Sequence, residues 1–78
     1  MRLRYEVAYT PKMENPLEKD ENGNFLAHQN RDYIPCKNYE WALKCVDGLL
    51  KDGAFDIFID GYDKENNLRL YKGFNQLT

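Results

Sequence analysis

Residues 38–62 read NYEWALKCVDGLLKDGAFDIFIDGY, a helical pattern followed directly by a strand pattern. Asn38 is suited to cap the amino end of a helix, and Gly53 to adopt the left-handed conformation just past its carboxyl end. Beyond Gly53, Ile57 and Ile59 recur with the period of two that a half-buried strand shows. At about 100° per residue the apolar residues of the helix gather on one side, which predicts its core face: Tyr39, Ala42, Leu43, Val46, Leu49 and Leu50.

Two other segments show the alternation of a strand. Residues 3–10 alternate between apolar or aromatic and mainly polar side chains, and Pro11 ends the pattern because proline lacks a backbone donor. Residues 67–74 form another strand, joined to the strand of residues 55–62 by a polar turn. The chain therefore carries at least three strands around its helix.

A polar loop is expected at about residues 11–30, which contain two of the three prolines. An unstructured stretch from 11 to 37 would be long for so small a domain, so a further strand is expected within it. Residues 31–35 are the preferred position for this strand, and residues 25–28 are the alternative.

These elements predict an α+β fold in the order ββαββ. A small antiparallel sheet of about three to four strands would carry one helix packed on one face. With 78 residues the chain is expected to form a single domain, residues 1–78, because a chain of this length supports only one thin core.

The register of the last hairpin is predicted from the chemistry of its side chains. If residues 63–66 form the loop, Ile59 pairs with Leu70 on the helix side of the sheet. Asp60 then pairs with Arg69, and Phe58 with Tyr71, on the other side. Opposite charges and matched apolar side chains stabilise a ladder, so we expect this register rather than one with a turn at residues 66–67. The same alternation predicts nearly complete burial for Val7, Val46, Leu50, Ile57, Ile59 and Leu70.

Composition and charge narrow the class of protein. The net charge is −2, whereas a nucleic-acid-binding protein usually carries a basic excess. The amino terminus alternates in polarity where a signal peptide has an apolar block, and no apolar run approaches the length of a membrane span. Two cysteines form no disulfide framework in a chain that is not secreted. We therefore expect a cytoplasmic protein that makes no membrane contact.

The residues that usually carry catalysis or bind cofactors are scarce. The chain contains no serine, and its one histidine, His28, could pair only with Cys36 or Cys45. Those cysteines lack the paired spacing of a zinc site. The glycines do not have the spacing of a phosphate-binding loop. No catalytic residue, no cofactor and no metal is therefore predicted.

The surface offers two candidate binding features. Trp41 lies well round the helix from the predicted core face. It could anchor a partner, since tryptophan is enriched at binding hot spots, or it could cover the sheet edge or the loop of residues 11–37 as part of the core. Phe58 and Tyr71, with Asp60 and Arg69, would lie on the side of the sheet that the helix leaves open. An exposed aromatic patch of this kind often marks an interface.

The expected function is that of a non-catalytic protein-interaction module. It would act as a small adaptor or inhibitor that occludes a site on a larger protein, a description that would fit a phage or mobile-element accessory protein. A second copy of the chain could also cover the open side, giving a homodimer. The alternative is a single-strand nucleic-acid-binding regulator in which aromatics on the open sheet face stack on bases.

Overall fold

The computed structural model describes residues 2–76 and confirms an α+β domain with ββαββ order. A short 3₁₀ helix lies in the long loop between the first two strands. None of the helices within these residues is long and apolar enough to cross a membrane. The elements are β1 (Arg4–Thr10), the 3₁₀ helix (Leu26–Gln29), β2 (Asp32–Cys36), α1 (Tyr39–Lys51), β3 (Phe55–Tyr62) and β4 (Leu68–Phe74).

The four strands form one antiparallel sheet in the order β2-β1-β3-β4. Helix α1 packs on one side of this sheet, over β1, β2 and β3. Val7 is the centre of the core because it pairs with Ile34 on one side and Ile59 on the other. Val7, Ile57 and Ile59 are fully buried. We call the side of the sheet away from α1 the open face.

The second strand occupies the preferred position rather than the alternative one. Strand β2 spans Asp32–Cys36, at the edge of the sheet, where Pro35 is tolerated because one side of the strand needs no partner. The alternative segment instead forms the 3₁₀ helix, whose Ala27 is fully buried. The Thr10 hydroxyl donates to the Ala27 carbonyl at 3.2 Å, which fixes this helix against the end of β1.

The predicted register of the last hairpin is wrong by two residues. Ile59 lies opposite Lys72, and Asp60 opposite Tyr71. Arg69 lies where the register shifts: Gly61 pairs with Leu70 but Tyr62 with Leu68, so Arg69 is the extra residue of a bulge. A shift of two keeps every side chain on its predicted face, because side chains alternate with a period of two.

The carboxylate of Asp63 explains this register. Its Oδ1 accepts from the backbone N–H of Glu65 at 2.9 Å and of Asn67 at 3.0 Å. Its Oδ2 accepts from Arg69 Nε at 2.9 Å. Asn67 and then Arg69 lower the pKa of Asp63 to about 2, since both stabilise the ionised form. Arg69 is thereby held at the hairpin end and is not the partner of Asp60 that cross-strand matching predicted.

The helix is rotated about its axis relative to the predicted core face. Ala42 and Val46 are buried as expected, but Leu50 is 42% exposed and Leu43 38%. Cys45 packs against the core in their place. Cysteine packs as a small apolar residue. The side of the helix that meets the core therefore carries Ala42, Cys45 and Val46, and Leu43 and Leu50 lie at its edge. Leu70, also expected to be nearly buried, is only partly so because β4 is an edge strand.

The capping predictions for the helix are confirmed. The Asn38 side chain accepts from the backbone N–H of Trp41 at 2.8 Å. Gly53 has a φ of 85°, a conformation that only glycine adopts without strain. On the solvent side, Lys51 and Asp47 form an exposed ion pair at 3.1 Å. These local contacts set both ends of the helix between β2 and β3.

Replacing Ile57 by alanine should lower the free energy of unfolding by about 2–5 kcal/mol, because the fully buried side chain leaves a cavity. Leu50→Ala should cost less than about 1 kcal/mol, since that side chain is already partly in water. Urea unfolding followed by circular dichroism measures both. Ile57→Val, expected to cost about 0.5–1.5 kcal/mol, keeps the comparison measurable if the alanine variant does not fold. Equal losses at positions 50 and 57 would contradict the helix orientation.

Candidate functional site: the open face of the sheet

The open face contains a shallow hollow of about 470 Å³. Strands β1, β2, β3 and β4 all contribute to it, and the end of the long loop borders it. Of the predicted binding residues, Phe58, Asp60 and Tyr71 line this hollow together. We call it the open-face hollow, and its lining residues are Ala8, His28, Arg31, Tyr33, Asp56, Phe58, Asp60, Tyr62 and Tyr71.

A stacked pair of aromatic rings forms one wall. The ring centroids of Phe58 and Tyr71 are 4.7 Å apart and the ring planes differ by 15°. The two residues are diagonal neighbours rather than the directly opposed pair that was predicted, because Phe58 pairs with Gly73. A Cβ at Gly73 would lie 2.9 Å from Phe58 Cε1, so the absence of a side chain there makes room for the Phe58 ring. Tyr71 is 61% exposed and offers its ring to solvent.

Arg31 and Asp56 also line the hollow, and the guanidinium carbon of Arg31 lies 5.6 Å from the centroid of the Phe58 ring. Arg31 Nη1 donates to Asp56 Oδ2 at 3.0 Å, to the Asp56 carbonyl at 2.9 Å and to Thr10 Oγ1 at 3.2 Å. His28 Nε2 lies 3.6 Å from the same carboxylate oxygen. Asp56 has a φ of 52°, a conformation that costs a residue with a side chain about 1–3 kcal/mol. Arg31 therefore neutralises Asp56 and holds a strained part of the backbone.

The sequence analysis did not identify Arg31 and Asp56. They are 25 residues apart, and neither belongs to a recognisable motif. The only sequence signal is weak: each is a charged residue next to or at the start of a strand. Their pairing depends on the long loop returning to the start of β3, which the sequence does not reveal.

Asp60 is the chemically unusual residue of the hollow. It is 8% exposed, and its Oδ1 accepts no hydrogen bond from any residue that the structure describes. Glu6 lies directly opposite it in the β1–β3 ladder. Burial, and then the charge of Glu6, raise the pKa of Asp60, while Arg31 partly offsets them. Asp60 and Glu6 form no ion pair within residues 2–76.

Trp41 is exposed rather than part of the core. Its side chain is 53% exposed and borders a small apolar depression with Lys44 and Cys45. Because it lies on the helix layer, the sheet separates it from the open-face hollow. The structure thus separates the five predicted residues: Phe58, Asp60 and Tyr71 share the hollow, Arg69 lies at the hairpin end, and Trp41 lies on the helix.

The two cysteines contact each other between the helix and the sheet. Cys36 Sγ lies 4.0 Å from Cys45 Sγ and donates to the Ile34 carbonyl at 3.4 Å. Burial, and then the proximity of Cys45, raise the pKa of the Cys36 thiol to about 11. His28 borders the open-face hollow on the other side of the sheet, so neither cysteine has it as a base. Residues 2–76 also bring no three potential metal ligands together.

Replacing Asp60 by asparagine should stabilise the protein at neutral pH. The pKa of Asp60 in the folded state is raised above its ordinary 3.8. Between these two pKa values the folded state binds more protons than the unfolded state, so the free energy of unfolding falls as the pH rises. Asparagine fills the same space without the charge. Urea denaturation at neutral pH should show a higher midpoint for Asp60→Asn, and the gain should shrink below the ordinary pKa. The exposed Asp47 provides the control variant Asp47→Asn, and a lower midpoint for Asp60→Asn would contradict the analysis.

Cys36 should resist alkylation in the folded protein. The thiolate is the reactive form, and because the pKa of the Cys36 thiol is about 11, little thiolate is present. Variants that keep one thiol each, Cys36→Ser and Cys45→Ser, allow the two rates to be measured separately with iodoacetamide at mildly alkaline pH. The variant that retains Cys36 should react more slowly when folded, and both should react alike in urea. Faster reaction at Cys36 would show that it is not buried.

The open-face hollow thus combines an aromatic stack whose Tyr71 ring is exposed, a neutralised Arg31–Asp56 pair and the buried carboxylate of Asp60, whose charge Arg31 only partly offsets. Comparisons with protein-family models, with curated proteins and with solved structures find no match. The chemistry of the hollow is therefore the basis for a functional proposal.

Proposed function

We propose that the protein is a non-catalytic interaction module that binds a larger partner protein through its open face. In this role it acts as a small adaptor or inhibitor that covers a site on the partner. The observation that carries the proposal is the Phe58–Tyr71 stack, which lies beside a buried carboxylate on a surface where no second layer of structure packs.

The exposed aromatic rings favour a binding role. Tyr71 is 61% exposed and Tyr33 59%, so both side chains are available to bury a large apolar area against a partner. Aromatic residues that become fully desolvated on association dominate the binding energy of many interfaces. A shallow, open surface also suits a protein better than a small molecule, which usually binds in an enclosed cavity.

The charge of the open face favours a protein over a nucleic acid. The guanidinium of Arg31 is already paired with Asp56 at 3.0 Å. Asp60 and Glu6, directly opposite each other, leave the central part of the face acidic. A phosphate backbone would be repelled there, whereas single-strand binders line such a surface with cations.

Replacing Phe58 and Tyr71 together by alanine should abolish capture of the partner while the fold is retained. A hot-spot aromatic contributes about 2 kcal/mol or more to a complex. Tyr71 is exposed and Phe58 is half-buried on the side of the sheet away from the core, so their loss should leave the fold intact. The tagged protein and the double variant would be used for affinity capture from the cells that produce the protein, with mass spectrometry of the bound material. Circular dichroism would confirm that the variant is folded.

Trp41→Ala combined with Leu43→Ala is the matched control, since it removes two exposed apolar side chains from the helix layer. It should capture the partner as the unmodified protein does. Loss of capture in this control alone would move the binding surface to the helix. Release of the bound material by nuclease, with binding that weakens steeply as salt is raised, would instead support the single-strand nucleic-acid alternative.

A further inference from the structure

We infer that the open-face hollow receives an arginine side chain of the partner, with the guanidinium paired to Asp60 and stacked beside Tyr71. This inference rests on the proposed function, because it specifies the chemistry of the segment that the open face binds. The occupant is a cationic segment of another protein.

The protein leaves the charge of Asp60 incompletely balanced. Asp60 is buried to more than nine-tenths, and its Oδ1 has no hydrogen-bond partner among the described residues. Glu6 adds a second carboxylate directly across the ladder. Buried charges in proteins are normally paired, because removal from water is costly unless a counter-charge replaces it. An incoming cation would supply the missing counter-charge.

Three arginines of the sheet and its loops are already engaged with other groups. Arg31 is held by Asp56 at 3.0 Å, and Arg69 by Asp63 at 2.9 Å. Arg4 donates to Asn66 Oδ1 at 2.9 Å. None of these three arginines forms an ion pair with Asp60 within residues 2–76. Arg31 is near enough to lower the pKa of Asp60, but burial and Glu6 outweigh it. A cation supplied by a partner would complete the balance of charge.

An aromatic surface lies beside the carboxylate of Asp60. Tyr71 lies opposite Asp60 in the β3–β4 ladder, and its ring is stacked with Phe58 while remaining largely exposed. A planar guanidinium can stack on an aromatic ring while its N–H groups pair with a carboxylate, whereas a lysine ammonium cannot do both in the same way. The arrangement therefore favours arginine over lysine.

The inference is tested by titrating the isotope-labelled, full-length protein with acetyl-arginine-amide and observing backbone amide shifts by NMR. Acetyl-citrulline-amide is the matched probe, because it has nearly the same shape but no charge. The arginine probe should shift the amides of Asp60 and Tyr71 and bind about tenfold or more tightly than citrulline, as expected for one charge-assisted pair. Asp60→Asn should remove this preference, and Asp47→Asn should preserve it.

Equal binding of the two probes, absence of shifts at the open-face hollow, or an unchanged preference in a folded Asp60→Asn protein would each overturn the inference. The titration needs no partner protein, so its failure is distinguishable from failure of the proposed function. If Phe58 and Tyr71 are required for capture but the protein does not prefer the arginine probe to the citrulline probe, only the arginine inference is overturned. If the probe binds at Asp60 but capture is independent of these aromatics, the proposed function falls.

Discussion

The main constraint on the structure is that its described residues form only two layers. One α-helix packs on a sheet of four strands, and it covers only one side of that sheet. The Cα atoms extend 17 Å along the shortest axis, and packed layers are about 10 Å apart, so there is room for the helix and the sheet alone. The helix side therefore forms the apolar core around Val7. The open face must be compatible with water or with a partner.

The open face meets this constraint with large side chains rather than with another layer. Phe58 lies across the gap above Gly73, and Tyr71 stacks on Phe58, so the rings shield part of the sheet from solvent. Arg31, bound to Asp56 and Thr10, covers the part of the same face next to the Phe58 ring. Because this shielding comes from side chains, it leaves Asp60 buried without providing it with a hydrogen bond.

The sequence was sufficient to predict which side chains share a face, but not how the strands align. Alternation alone places Phe58, Asp60 and Tyr71 together, and a register error of two residues leaves that result unchanged. The register itself follows from the hydrogen bonds that Asp63 makes around the turn, which outweigh a favourable charge pair. Likewise, apolar periodicity identified the helix but not its rotation, because Cys45 packs against the core where Leu43 and Leu50 were expected. The Arg31–Asp56 contact depends on the path of a long loop and leaves no local pattern.

Two energetically unfavourable features lie on the same face of a small domain. Asp56 holds a left-handed backbone conformation, and Asp60 is a buried carboxylate opposite another one. A domain of this size has a thin core, so features that cost free energy need compensation. Arg31 compensates Asp56 within the molecule, and the pair is consequently structural. Asp60 forms no ion pair among the described residues and is only partly compensated by Arg31, so a neutral residue of the same shape should fold at least as well. That difference distinguishes the carboxylate that stabilises the fold from the one whose counter-charge we assign to a partner.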